Sequence, residues 1–102
     1  MYQLNILPVV ADEIDAIVEE YEQKRDLNDI KFYLKLQDIL NLIAQNPKLF
    51  TKRIGNFQRA FIKSYPYVIY YYTNEVNQTL IIVAIIHHKR GINYIKEKLG
   101  ID

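Results

Sequence analysis

Near the end of the chain, His87-His88-Lys89-Arg90 sets two imidazoles, an ammonium and a guanidinium side by side, just before Gly91. Histidine exchanges protons between about pH 5 and 8, so His87 or His88 could act as general acid or base. Arginine offers a planar fork of donors that grips a phosphate or carboxylate through two parallel hydrogen bonds, which suits Arg90 beside Lys89 to anion binding. Metal-free RNA cleavage needs a base for the 2′-hydroxyl, cations for the phosphorane charge and an acid for the leaving oxygen. For a nuclease the candidates are His87, His88, Arg90 and Tyr94, with Arg59 and Lys63 as electrostatic partners. Without such chemistry the run is the basic end of a binding surface, or simply a strand reaching water.

A second group of residues lies upstream. If residues 57–63 form a strand, alternation puts Phe57, Arg59, Phe61 and Lys63 on one face and Gln58, Ala60 and Ile62 on the other. Ala60 and Ile62 suit a packed side, which leaves Arg59, Phe61 and Lys63 on an open one. In residues 67–73 one face carries Val68, Tyr70 and Tyr72. Rings and cations together suit stacking on bases with contacts to phosphate, and equally suit a protein interface. Arg59, Phe61, Lys63, Tyr70, Tyr72, Lys89 and Arg90 are therefore the expected partner-binding set.

Some scaffold must hold these groups. Residues 2–7 alternate loosely and read as a first strand, ended by Pro8. From Val10 the period changes: Val10, Ile14, Ile17, Val18 and Tyr21 share one helical face. A break at residues 25–28 follows, with Asn28 or Asp29 capping a second helix whose stripe is Phe32, Tyr33, Leu36, Ile39, Leu40 and Ile43. Asn46-Pro47 ends it. Residues 57–63, 67–73 and 79–86 then read as three strands of an antiparallel meander, the third apolar on both faces and hence central, beside the first strand of the chain. Residues 92–99 offer a short C-terminal helix. The expected fold is α+β: a small antiparallel sheet in the order β-α-α-β-β-β, backed on one face by an antiparallel helical pair, with its edge at residues 57–63.

Composition fits one domain over residues 1–102. There is no cysteine, which excludes disulfides and thiolate metal sites, and neither metal nor cofactor is expected. No apolar run approaches the ~20 residues of a membrane span, and the N-terminus lacks the basic start of a signal peptide. A cytoplasmic protein with no membrane partner is the expectation. The net charge of +1 conceals a split: nine acids against four bases in residues 1–46, then nine bases against three acids in residues 47–102. The basic half suits an acidic partner.

With these residues in place, the chain resembles the RelE/ParE toxins of bacterial type II toxin–antitoxin modules, the family of plasmid stabilisation proteins. The resemblance runs over nearly the whole chain: the element order, the helix with Ala11, Asp12, Ile14, Ile17 and Tyr21, Asn46-Pro47, and Arg59 followed by SYPYVIYYY and the strand closing in HHKR. It implies a cytosolic growth inhibitor neutralised by a cognate antitoxin, with a homodimer or toxin–antitoxin hetero-oligomer as assembly. It also implies two activities: gyrase poisoning in the ParE-like branch and cleavage of ribosome-bound mRNA in the RelE-like branch. The mRNA-cleaving branch commonly has an arginine where this chain has Val68 and a lysine where it has Phe61. ParE-like strands often end in a histidine-x-x-arginine pattern like His87 to Arg90. The resemblance thus favours a binder of DNA gyrase, with a metal-independent endoribonuclease and a non-toxic antitoxin-binding relic as alternatives.

Overall fold

A computed structural model describes residues 2–24 and 28–101, with side chains from residue 31 onward in the second segment. Of the break assigned to residues 25–28, residues 25–27 lie outside the described residues, and α2 already begins at Asn28; the side-chain cap assigned to Asn28 or Asp29 lies outside the described side chains. The chain runs β1 (Gln3–Ile6), α1 (Pro8–Gln23), α2 (Asn28–Gln45), β2 (Lys52–Ile54), β3 (Phe57–Phe61), β4 (Tyr67–Asn74), β5 (Thr79–His87) and α3 (Ile92–Leu99). Pro8 ends the first strand as expected, yet it also opens α1, because its fixed φ and missing N–H cost nothing at a helix start.

The sheet order is β1-β5-β4-β3-β2, with β5 between β1 and β4 as its apolar faces required. Three features correct the expected sheet. It is mixed rather than antiparallel throughout: β1 lies parallel to β5, since the long helical excursion returns the chain in the same direction. A fifth strand, β2, pairs with β3 through Lys52↔Gln58 and Ile54↔Phe57, so the edge is not residues 57–63 as a whole. Gly55, at φ +54, permits that tight turn, and three residues carrying two charges give no strand pattern. Finally, β3 stops at Phe61, and Ile62 and Lys63 belong to the turn beyond it.

The core confirms the helical pair as scaffold. Val10, Ile14, Phe32, Leu36, Leu40 and Ile43 are buried against Ala60, Ile69, Tyr71, Leu80, Ile82 and Ile85, with Ile17 and Tyr21 packed at the margin. Tyr33, expected in the stripe, is 48% exposed instead. The other sheet face is not open either. α3 lies against it, and Val68, Tyr70, Ala84, Ile86 and Leu99 form a second buried cluster. Gly91 begins this helix and Gly100, at φ +71, ends it, the Ile101 N–H returning to the Lys96 carbonyl.

Gln58 is the one buried polar side chain among the described residues. Its amide nitrogen donates to the carbonyls of Pro47 and Phe50, both at 2.6 Å, and so fixes the loop that leads into β2.

Candidate functional site

The geometry of the site starts with a break in alternation. Tyr70 pairs with Ala84 but Tyr71 pairs with Ile82, which leaves Val83 as a bulge in β5. Before the bulge Leu80 and Ile82 face the helical pair; after it Ile85 does. The extra residue thus turns His87 toward α1, where an unbroken strand would have put it on the α3 side. Tyr67, its cross-strand partner, meets the His87 ring edge-on at 5.5 Å.

The turn after β5 is held by its own hydrogen bonds. Arg90 N–H donates to the His87 carbonyl at 3.0 Å, and Lys89 N–H donates to His87 Nδ1 at 3.1 Å. An acceptor at Nδ1 means that the neutral His87 ring carries its proton on Nε2. His88 stacks on His87, centroids 4.9 Å apart and planes at 19°. Its backbone N–H reaches the Pro66 carbonyl at 2.8 Å and its Nδ1 lies 3.2 Å from the same oxygen. Because a carbonyl only accepts, this Nδ1 carries the proton and Nε2 is left with a free lone pair. Arg90 spreads its guanidinium over the Tyr94 ring at 4.5 Å.

Two helices complete a cleft of about 660 Å³ around this turn. β1 pairs with β5 only as far as Ile82, so α1 and α3 approach each other along the remainder of β5. Glu13, Ala16, Ile17 and Glu20 of α1 line one wall; Tyr94 and Lys98 of α3 line the other. Lys98 bridges the two, its Nζ 2.8 Å from the Glu13 carboxylate. That hydrogen bond holds the Lys98 ammonium above its usual range, although burial pulls the other way. Glu20 is paired with Lys24 at 3.1 Å. Burial, with the Glu20 charge adding and the Lys24 charge opposing, raises the Tyr67 phenol, so it stays a neutral donor. With the two carboxylates of the cleft, Glu13 and Glu20, engaged by lysines, Lys89 and Arg90 are in no ion pair among the described residues.

The expected residues therefore fall into two places. His87, Lys89, Arg90 and Tyr94 meet in the cleft, with His88 stacked at its rim. Arg59, Phe61, Lys63 and Tyr72 lie across the sheet: Arg59 sits over the Phe61 ring at 5.1 Å, and Phe57 meets Tyr72 edge-on at 5.9 Å. Phe61 and Lys63 border a hollow of about 240 Å³ with Lys35, Asp38, Ile39 and Leu42 of α2. Tyr70 belongs to neither group. It is 2% exposed beneath α3, which corrects its expected place on an open face. Sequence reasoning missed Glu13, Glu20, Tyr67 and Lys98. The available signal was the spacing of Glu13, Ala16, Ile17 and Glu20, one stripe of α1 that mixes acids with apolar residues.

Comparison with known proteins agrees with this architecture. A family model described as the ParE toxin of the type II toxin–antitoxin system matches residues 4–92, and the chain belongs to that family. Among solved structures the chain is similar to the isolated E. coli RelE toxin, with a TM-score of 0.64 over 98% of each chain at 13% identity, a likeness of fold. No curated protein matches the chain.

Proposed function

We propose that this ParE-family toxin inhibits growth by binding DNA gyrase through the cleft at the exit of β5, without cleaving RNA. The observation that carries the proposal is the burial of Val68. It occupies the position where mRNA-cleaving relatives commonly place an arginine, and it packs with Tyr70, Ala84 and Leu99 beneath α3. A side chain 4% exposed in an apolar cluster leaves no room there for a cation that would hold a scissile phosphate. The neighbouring sheet face supplies packing rather than transition-state charge. Arg90, by contrast, sits over the Tyr94 ring and is in no ion pair among the described residues, an arrangement suited to gripping a carboxylate or phosphate of a partner.

The cognate antitoxin is assigned to the other group. β2 pairs only with Phe57 and Gln58, so the edge from Arg59 to Phe61 has no strand outside it among the described residues. An extended segment added there would set apolar side chains against exposed Leu42 and Phe61, and acidic ones near Arg59 and Lys63. Lys89 and Arg90 remain for the target.

One observation supports the RelE-like reading: the exposed His88 retains a free Nε2 lone pair, as a general base requires. The test pairs a gyrase supercoiling assay with primer extension on mRNA during in vitro translation. Loss of supercoiling with intact mRNA is the expected result. Site-specific mRNA cuts that vanish in His88→Gln, with gyrase unaffected, would overturn the proposal in favour of the nuclease. Normal bacterial growth on expression of folded protein would leave a non-toxic relic.

A further inference from the structure

We infer that His87 is a proton-operated latch on this site: neutral, it locks the turn that presents Arg90, and charged, it releases that turn. The cellular consequence rests on the turn being the target-binding site, whereas the latch is a property of the free chain.

The two imidazoles of the stack answer a proton differently. The neutral His87 ring has its hydrogen on Nε2, so the proton that charges it must enter at Nδ1, the atom now accepting from Lys89 N–H. Two donors then face each other and that hydrogen bond is gone. His88 takes its proton at Nε2 and keeps the Nδ1 contact to the Pro66 carbonyl. Charging His88 therefore leaves the tie to the Pro66 carbonyl before β4 intact, while charging His87 unpins the middle of the turn. Only the Arg90 N–H to His87 carbonyl bond would still close it.

The surroundings do not rescue a charged His87. On its own turn it faces Lys89 and Arg90, and the His88 ring lies 4.9 Å away, so like charge opposes it. From β4 it meets the Tyr67 phenol, which is neutral in this range. From α3 the cleft receives Tyr94 and Lys98, a neutral ring and a cation. From α1 it receives Glu13 and Glu20, the two groups that would favour the charge, and these are engaged by Lys98 and Lys24 at 2.8 and 3.1 Å. The sign follows. A proton that binds the released turn better than the locked one shifts the population toward release as pH falls through the range where imidazole charges. Loss of one such hydrogen bond reduces the ratio of locked to released turn by about fivefold. Arg90 then leaves Tyr94, and the anion site loses its preorganised fork.

The experiment is a pH titration of the purified full chain by nuclear magnetic resonance, from about pH 8 down to about pH 5. It follows the Lys89 amide, the Arg90 side chain and both histidine rings. The Lys89 amide is expected to shift with the His87 titration, and its hydrogen-exchange protection, corrected for intrinsic pH dependence, to fall by about fivefold. In His87→Asn the side-chain oxygen takes the place of Nδ1 and cannot titrate, so the Lys89 shift should become flat while the fold is kept. His88→Gln should leave it titrating. A Lys89 amide indifferent to His87, or one still titrating in His87→Asn, would overturn the latch. Because the measurement needs no gyrase, a failed supercoiling assay leaves the result standing, and a flat Lys89 titration leaves the gyrase reading untouched.

Discussion

Replacing Gln58 by methionine should unfasten one edge of the sheet. Gln58→Met keeps side-chain length and nearly its volume, so the change isolates the amide. Its nitrogen supplies one N–H to the Pro47 carbonyl and one to the Phe50 carbonyl, both at 2.6 Å. Each hydrogen bond contributes about 0.5–1.5 kcal/mol net, and a carbonyl left without a donor and away from water costs more. Pro47 and Phe50 are half-buried, so water recovers part of the loss. The Tyr71 hydroxyl, 3.5 Å from the Pro47 carbonyl, is too distant to replace the amide fully. The balance is about 2–3 kcal/mol, or roughly 10–20 °C in Tm for a domain of this size. Urea unfolding followed by far-UV circular dichroism or by tyrosine fluorescence measures it, the chain having nine tyrosines and no tryptophan. The midpoint should fall with little change in slope, since the same surface is exposed on unfolding. Hydrogen exchange should rise first at the β2–β3 pairs, because the 47–50 loop no longer holds β2 in place. A loss below about 0.5 kcal/mol would refute the reasoning, showing that these carbonyls exchange the amide for water at no cost.

Other outcomes follow from the same contacts. Leu36→Ala removes a side chain 3% exposed between helices and sheet and should cost about 2–5 kcal/mol; an unchanged melting temperature would sink the two-layer packing. Arg90→Lys keeps the charge but loses the fork, so toxicity in a growth assay should fall by about tenfold or more with a normal circular dichroism spectrum; full toxicity would return the HHKR exit to a plain strand end. Lys98 is raised above its ordinary 10.5 by its hydrogen bond to Glu13, so that contribution is complete below 10.5 and disappears as pH rises through the folded value. Glu13→Gln should therefore cost about 0.2–1 kcal/mol near neutrality, the pair being partly exposed, and less in strong alkali. Burial pushes the Tyr71 phenol up to about 12, so stability should decline between 10 and about 12 as the unfolded chain ionises first. Tyr71→Phe should flatten that decline in alkaline melts.

Much of the scaffold that depends on local period was legible from the residues alone. The stripes of α1 and α2, the alternation of Gln58, Ala60 and Ile62, and the central place of β5 all follow from spacing, because a helix or strand with one apolar face has few ways to bury it. The same spacing put Arg59 and Phe61 together, where one now lies over the other. The rest was set by contacts between distant segments. β2 exists because Gln58 reaches back to Pro47 and Phe50, a bond that no pattern in Lys52–Ile54 announces. Tyr70 left the surface because α3 folds over β4 and β5 after Gly91, and a short helix with one apolar stripe does not declare which face it will cover. The sharpest case is His87. A two-residue period, read straight along residues 79–87, assigns it to the face of Ile81 and Val83, yet Val83 bulges and the strand beyond it turns over, so His87 shares the face of Ile85 with the helical pair. A bulge is set by the pairing of Tyr70 with Ala84 and Tyr71 with Ile82, a register that belongs to two strands at once. The imidazole therefore points at α1 for a reason that lies in β4 as much as in its own strand.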